Sequence, residues 1–250
     1  MTENIFEKQF NVRYYEVDFC GRLRPSTILN FMQDAAAGHA ALLGVAVAEL
    51  RKRNLTWVLS RFHLKVERYA RSGETVQIRT WPSSREGHFS CREFEVRDGE
   101  GGLLALATSS WAAVNLQTRR PVLLDDHLPA YPLVPRRAVE DEFPTLPRGG
   151  EAGTELRFQV RRSDLDINRH VNNVVYAEWA LETVPAEIAE RCCPAEIEIG
   201  FRAEALYGDT VVSRTGRAET STDGFCFVHQ LLDERDGREL TRLRTRWREF

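Results

Sequence analysis

The sequence predicts an α+β fold built from two similar domains in tandem, each with one long helix and an antiparallel sheet. One observation is an internal repeat, because residues 10–18 align without a gap with residues 158–166. A second is that an apolar helical run and then several β-rich runs follow the aligned segment in both halves. A repeat this long indicates a duplicated domain, since solenoid repeats span about 20–50 residues.

In the first half, residues 10–17 alternate weakly between apolar and polar side chains, and we predict a strand there. A helix is expected over residues 25–36. The apolar side chains at helical spacing in that run are Ile28, Phe31, Met32, Ala35 and Ala36. The β-rich runs that follow, divided by turns such as Asp98-Gly99, are residues 57–66, 74–81, 89–97 and 103–115.

The second half repeats this order, with a helix-like run over residues 174–181. Its predicted strands are residues 195–201, 210–220, 225–233 and 240–247. One helix beside an antiparallel sheet buries its apolar face, so both helices should be buried. Residues 128–152 are rich in proline and show neither the helical nor the strand spacing of apolar residues. This predicts a stiff, extended linker between domains 1–127 and 153–250.

Reactive side chains are densest in residues 164–173, which contain two aspartates, three asparagines and one histidine. Attack of water on an acyl group needs a proton acceptor, a donor to the carbonyl oxygen and a fixed frame for both. Asp166, Asn168 and His170 alternate, and on an extended segment all three would project to one face. The alternative is an Asx-rich turn that caps the next helix through Asn172 or Asn173.

This motif, with the tyrosine and tryptophan of the following helix, the strand 57–61, Thr80-Trp81-Pro82 and the tandem layout, resembles the acyl-acyl carrier protein thioesterases. The resemblance covers almost the whole chain. It implies a double hotdog fold and hydrolysis of the thioester between a fatty acyl chain and its carrier protein, in fatty acid metabolism. It also implies that Asp166, Asn168 and His170 form the catalytic loop, and that Glu204 is the catalytic glutamate.

A thioester is activated enough for water to attack it directly if a carboxylate removes the proton, and Glu204 is the preferred base. His170 would then donate to the carbonyl or polarise it. Asn168 would orient water or base, and Asp166 would hold His170 in its useful tautomer or position. The sequence leaves the division of these roles open.

Backbone N–H groups near Asn172 and Asn173, at the helix start, are candidate oxyanion donors that would bind the substrate carbonyl. Plant members of the family place a cysteine directly after the catalytic glutamate, whereas this chain has Ala205. A covalent thiol mechanism at that position is therefore excluded.

The first half lacks a catalytic set, because Cys20 and Arg22 stand where the repeat places Asn168 and His170. The resemblance implies that this half holds the acyl chain instead. Phe31 and Met32 are the candidates to line the acyl-chain pocket. The alternative for both is ordinary packing in the core.

Composition fits a soluble enzyme, with 42% hydrophobic and 28% charged residues. We find neither a targeting signal nor an apolar stretch near the roughly 18–20 residues of a membrane span, and we expect a cytoplasmic protein. The five cysteines show no metal-ligand spacing, so we expect neither metal nor cofactor. A net charge of −3 gives the chain no cationic field for nucleic acid.

Local basic clusters are docking candidates for the carrier protein, which is acidic. Alternate residues of the last predicted strand carry arginine on one face. The candidates are Arg242, Arg244, Arg246 and Arg248, with Arg51-Lys52-Arg53, Arg119-Arg120 and Arg136-Arg137. Intramolecular pairing is the alternative for each of them.

Two other functions remain as alternatives to carrier-protein thioester hydrolysis. One is an acyl-CoA thioesterase or a hydratase-like enzyme of the same fold, and the other is a non-catalytic acyl-binding sensor. The complete polar set in the second half speaks against the sensor. The oligomeric state is open, and a homodimer is one option.

Overall fold

A computed structural model of the protein describes residues 4–149, 153–218 and 224–249. The chain divides into two compact units after Glu142. That division falls inside the predicted linker, residues 128–152. Among the described residues, no helix has both the length and the apolar character needed to cross a bilayer.

The first unit is a five-stranded antiparallel sheet with a long helix, α1 (Pro25–Leu42), against it. Its strands lie in the order β1, β3, β4, β5, β2. Two short helices, α2 and α3, complete the unit. The bounds are β1 Phe6–Asn11, α2 Val47–Arg51, β2 Leu55–Val66, β3 Thr75–Glu86, β4 Phe89–Asp98, β5 Leu103–Asn115 and α3 Leu124–His127.

The second unit repeats this plan with a shorter helix, α4 (Asn173–Leu181), and the strand order β6, β8, β9, β10, β7. Its other elements are β6 Thr154–Gln159, α5 Ala186–Ala189, β7 Cys192–Phe201, β8 Thr210–Arg217, β9 Phe225–Asp233 and β10 Glu239–Glu249. The predicted α+β fold with a duplicated helix-and-sheet domain is confirmed. The predicted extension of β8 to residue 220 is wrong at residue 218, and residues 219–220 lie outside the described residues.

The strand predicted over residues 10–17 exists only at residues 10–11. Its extension beyond Asn11 is wrong, because β1 (Phe6–Asn11) ends there and a 3₁₀ turn, Tyr14–Glu16, follows. The Glu16 carboxylate accepts a hydrogen bond from the Arg13 N–H at 2.8 Å and closes this turn. A local side-chain acceptor of this kind competes with strand pairing.

Both long helices are buried as predicted. In α1 the residues with the least exposed surface include Ile28, Met32 and Ala35, at helical spacing, and Pro25 stands at the start, where a missing N–H costs nothing. The side chain of Asn172 caps α4 by accepting from the Val174 N–H at 3.2 Å.

Residues 128–141 of the predicted linker have no regular structure, yet the sheet of the first unit anchors them. The Glu93 carboxylate, fully buried, accepts from the Ala138 N–H at 3.0 Å and pairs with Arg137 at 2.9 Å. Trp81 donates its indole N–H to the Arg136 carbonyl at 2.8 Å. Burial raises the pKa of Glu93 against these hydrogen bonds. This segment is therefore fixed by side chains that the sequence places on β3 and β4.

Candidate active site

The residues 165–171 form a tight turn, not the extended segment that the alternating pattern predicted. Leu165 and Val171 pair as a β-bridge, and the Asp166 N–H donates to the His170 carbonyl at 2.8 Å. The Arg169 backbone lies in the left-handed region with φ of 63°. The condition under which Asp166, Asn168 and His170 would share one face, an extended backbone, is therefore not met.

The Asp166 carboxylate builds this turn. It accepts from the backbone N–H groups of Asn168 at 2.8 Å and His170 at 3.2 Å. It also accepts from the side-chain amide of Asn168 at 3.0 Å. Asp166 thus meets His170 at its backbone, whereas the sequence led us to expect a contact with the imidazole.

The partner of the imidazole is Glu204, whose Oε1 lies 3.3 Å from His170 Nδ1. The segment after β7 runs beside the turn, because Val171 donates its N–H to the Ala205 carbonyl at 3.1 Å and His170 forms a β-bridge with Leu206. Two residues separated by 34 positions are so brought together. Their side chains are 24% and 36% exposed, so water can reach the pair.

Tyr176, on α4, is a site residue that the sequence analysis missed. Its hydroxyl oxygen accepts from the Ala205 N–H at 2.9 Å, which fixes the residue next to Glu204. Burial raises its pKa, and the nearby carboxylates of Glu204, Asp209 and Asp166 add to this shift. The phenol therefore stays protonated. A tyrosine on an otherwise apolar helix face just after the motif is the signal that could have identified it.

Asn172 and Asn173 have different roles at the start of α4. The Asn172 N–H donates to the Asp164 carbonyl at 2.8 Å and its side chain caps α4, so the capping alternative is confirmed for this residue. Asn173 is the first residue of α4. Its N–H has no acceptor within the helix, which leaves it as the candidate oxyanion donor of the two.

Phe31 and Met32 lie in the first unit, apart in sequence from the polar set of the second. The Phe31 ring stacks on Phe10 with centroids 4.2 Å apart, and Met32 is fully buried. Both positions fit core packing as well as chain binding. Their assignment to the substrate stays a prediction.

The arginines of β10 have intramolecular partners. Arg244 donates to the Glu198 carboxylate at 2.8 Å. Arg246 pairs with Glu196, two residues earlier on β7, at 3.2 Å. Arg242 is buried and pairs with Glu239 at 2.7 Å. Charges neutralised in this way offer little to a partner, so the pairing alternative holds for these three. It also holds for Arg136, which pairs with Glu95 at 2.6 Å, and for Arg137.

A tandem of helix-and-sheet domains with a histidine–glutamate pair beside a turn is the arrangement expected of a hotdog thioester hydrolase. Two family models match the chain: the acyl-ACP thioesterase N-terminal domain over residues 3–131 and the acyl-ACP thioesterase C-terminal domain over residues 149–249. The chain therefore belongs to the acyl-ACP thioesterase family.

Individual relatives agree. The chain is 32% identical to a dodecanoyl-[acyl-carrier-protein] hydrolase of Cinnamomum camphora, over 98% of this chain and 68% of that protein. It is 31% identical to oleoyl-acyl carrier protein thioesterase 1 of Arabidopsis thaliana, over 97% and 76%. Both relatives are described as chloroplastic.

Solved structures give the same result. The 12:0-ACP thioesterase from Umbellularia californica superposes with a TM-score of 0.86 at 30% identity, covering 99% of this chain and 95% of that one. An acyl-ACP thioesterase from Bacteroides thetaiotaomicron gives 0.82 at 28% identity, covering 98% of each chain. The hotdog fold that the sequence implied is confirmed.

Proposed function

We propose that this protein hydrolyses fatty acyl thioesters of acyl carrier protein by direct attack of water, with Glu204 as the general base. The observation that carries the proposal is the 3.3 Å approach of His170 Nδ1 to Glu204 Oε1 at a partly exposed position. Family membership supplies the substrate class.

In the proposed reaction, Glu204 takes a proton from water while the water oxygen forms a bond to the thioester carbon. His170, with both ring nitrogens protonated, donates from Nδ1 to the Glu204 carboxylate and from Nε2 to the carbonyl oxygen as negative charge develops there. The Asn173 N–H is a second candidate donor to that oxygen. When the carbon–sulfur bond breaks, the proton on Glu204 passes to the thiolate, and the products are a free fatty acid and a thiol.

Two residues position this pair without contacting the substrate. Asp166 sets the His170 backbone through the turn. Tyr176 sets the Glu204 segment through the Ala205 N–H. Asn168, whose amide donates to Asp166, is the remaining polar side chain of the motif and is proposed to orient the attacking water.

The alanine at position 205 supports attack by water without an acyl-enzyme intermediate, because no thiol stands next to Glu204. Cys192 and Cys226 are buried, and burial raises the pKa of both thiols, which makes them poor nucleophiles at neutral pH. A base that activates water is therefore the mechanism that these residues favour.

The test compares three variants on one acyl-carrier substrate. Glu204→Gln should lower kcat by about 10²-fold or more, because the amide cannot accept the proton. Glu178→Gln, an exposed glutamate on α4, is the matched control and should keep normal turnover. A variant with all five cysteines replaced by serine or alanine should also remain active. An acyl adduct trapped on a cysteine, or normal kcat in Glu204→Gln, would contradict the mechanism.

The same assay separates the substrate alternatives, because the acyl group can be presented on carrier protein or on coenzyme A. We expect higher kcat/KM for the carrier-bound form. A cytoplasmic location remains an expectation, to be checked by cell fractionation.

A further inference from the structure

Three large apolar side chains are exposed around the candidate active site. Ile167 is 77% exposed, Tyr207 55% and Leu206 49%. Ile167 lies in the same turn as His170, Leu206 is the β-bridge partner of His170, and Tyr207 is the next residue along. Exposed apolar side chains that cluster at one place indicate an interaction site more strongly than scattered ones.

Two cations lie among these apolar side chains. The Arg162 guanidinium lies over the Tyr207 ring, 4.7 Å from its centroid. Arg169 is exposed in the turn. Within the part of the chain that the structure describes, neither arginine forms an ion pair. Two nearby aspartates, Asp164 and Asp209, are buried, and the two other carboxylates of the site, Asp166 and Glu204, are partly exposed.

Both of those aspartates already have basic partners. Asp164 pairs with Arg161 at 2.9 Å and Asp209 with Arg235 at 3.1 Å. Their negative charge is therefore compensated locally. The Asp166 carboxylate accepts hydrogen bonds within its own turn and Glu204 faces His170. Arg162 and Arg169 therefore remain exposed cations beside the apolar side chains. This differs from β10, where glutamates of β7 neutralise Arg244 and Arg246.

We propose that these five residues, called here the site rim (Arg162, Ile167, Arg169, Leu206 and Tyr207), form the docking surface for the acyl carrier protein. The proposal rests on the proposed function and names the surface that its partner contacts. The occupant follows from charge and position, because an acidic partner complements Arg162 and Arg169, and its thioester arm has to end at His170. The apolar members would supply the buried centre of the interface and the arginines its specificity.

The chain contains a matched control surface. Phe19 stands 148 positions before Ile167, lies at the same place in the equivalent turn of the first unit, and is also 77% exposed. That turn has no histidine–glutamate pair beside it. A charge placed at Phe19 therefore tests exposure alone, and a charge placed at Ile167 tests exposure at the site.

The experiment uses the full-length protein and one acyl group on two carriers, acyl carrier protein and free pantetheine. The variants are Ile167→Glu, Arg162→Gln with Arg169→Asn, and Phe19→Glu as control. Asn is chosen at position 169 because it tolerates the left-handed backbone. For both rim variants kcat/KM with the carrier substrate should fall about tenfold or more, mainly through KM, while the pantetheine substrate stays within about twofold. Phe19→Glu should leave both unchanged.

Several results would overturn the proposal. An equal fall on both substrates would place the rim inside the catalytic machinery, and no fall on either would show that the carrier docks elsewhere. Loss of self-association by sedimentation, or loss of binding to anionic lipid vesicles, confined to the rim variants would assign the surface to a second copy or to a membrane. A wild-type protein inactive on both substrates would contradict the proposed function itself, which keeps the two failures distinct.

Discussion

The turn of the first unit, residues 13–24, and that of the second, residues 161–172, share one backbone and differ in chemistry. In each, an aspartate carboxylate accepts the N–H groups two and four residues later: Asp18 from Cys20 and Arg22, both at 2.9 Å, as Asp166 does in the second unit. Gly21 has φ of 72°, where Arg169 has 63°. Because the turn forms equally well in the unit without catalytic residues, its role is structural.

The difference lies in the residue four positions after each aspartate, Arg22 in the first unit and His170 in the second. The Arg22 side chain folds back and donates to the Asp18 carboxylate at 2.9 Å, and it is buried. The His170 imidazole points the other way, toward Glu204. The backbone hydrogen bonds match Ala70 to Ala205, so the residue in the place of Glu204 is Tyr69, which is buried. The aspartate is therefore the frame, and the reactive pair is what the second unit adds to it.

Exchanging the residues four positions after the two aspartates should have the largest effect on activity. In His170→Arg, the new guanidinium is expected to fold onto Asp166 as Arg22 does onto Asp18, and kcat should fall by about 10²-fold or more with the fold intact. The reciprocal change, Arg22→His, should create no second site, because Tyr69 offers no carboxylate. Steady-state kinetics and circular dichroism check both, and residual activity near wild type in His170→Arg would remove His170 from the site.

Weakening the two frames should have a smaller effect that separates structure from activity. Asp18→Asn and Asp166→Asn each lose charge-assisted hydrogen bonds, and each should lower the free energy of unfolding by about 1.5–3 kcal/mol. Only Asp166→Asn should also lower kcat, with KM little changed. Denaturant titration measures the stability of both variants, and steady-state kinetics measures their kcat and KM. If Asp18→Asn reduced kcat as strongly, the two turns would not be functionally distinct.

A histidine in the core of the second unit should make the free energy of unfolding depend on pH. His229 is buried between Thr215 and Thr245, at 2.6 Å and 2.8 Å, and burial lowers its pKa to about 3. The unfolded chain takes up this proton near pH 6.5 and the folded chain does not, so stability is complete above that pH and falls as pH drops toward 3. The contribution of His229 to the slope of stability against pH should be about 1.4 kcal/mol per pH unit.

His229→Gln should lower the slope of the free energy of unfolding against pH by this amount, measured by urea unfolding between pH 7 and pH 5. The buried His39, whose pKa is lowered to about 4, keeps its own contribution in both proteins. His127→Gln, at an exposed histidine, is the control and should leave the slope unchanged. Parallel slopes in all three proteins would show that His229 does not remain neutral in the folded state.

The smallest predicted effect concerns the acyl chain. Met32→Val in the first unit and Ile197→Val in the second remove similar volume from fully buried positions, and each should cost about 0.5–1.5 kcal/mol. Only Met32→Val is expected to shift the preferred acyl length, measured across a series of carrier-bound chains. A uniform change at all lengths would assign Met32 to the core alone.

The sequence predicts the order of elements well because both halves carry the same periodic pattern, so each supports the interpretation of the other. It fails where side chains bond to the nearby backbone. Glu16 ends the first strand early, and Asp166 bends the motif that alternation suggested was extended.

The candidate site shows the same division. Its residue types could be recognised, but the pairing of His170 with Glu204 depends on a register between two segments that no local pattern encodes. Tyr176 was missed because a buried tyrosine on an apolar helix is usually core. The exposure of Ile167 and Tyr207 is likewise a product of the tertiary structure.

The frame around Asp18 also bears on the history of the duplication. A second catalytic pair in the first unit would need histidine at position 22 and a carboxylate at position 69, and neither change is useful alone. The first leaves Asp18 without its guanidinium, and the second puts a charge in the buried place of Tyr69, which costs several kcal/mol when it is unpaired. Each of these changes made alone therefore costs stability in the first unit and adds no catalytic pair.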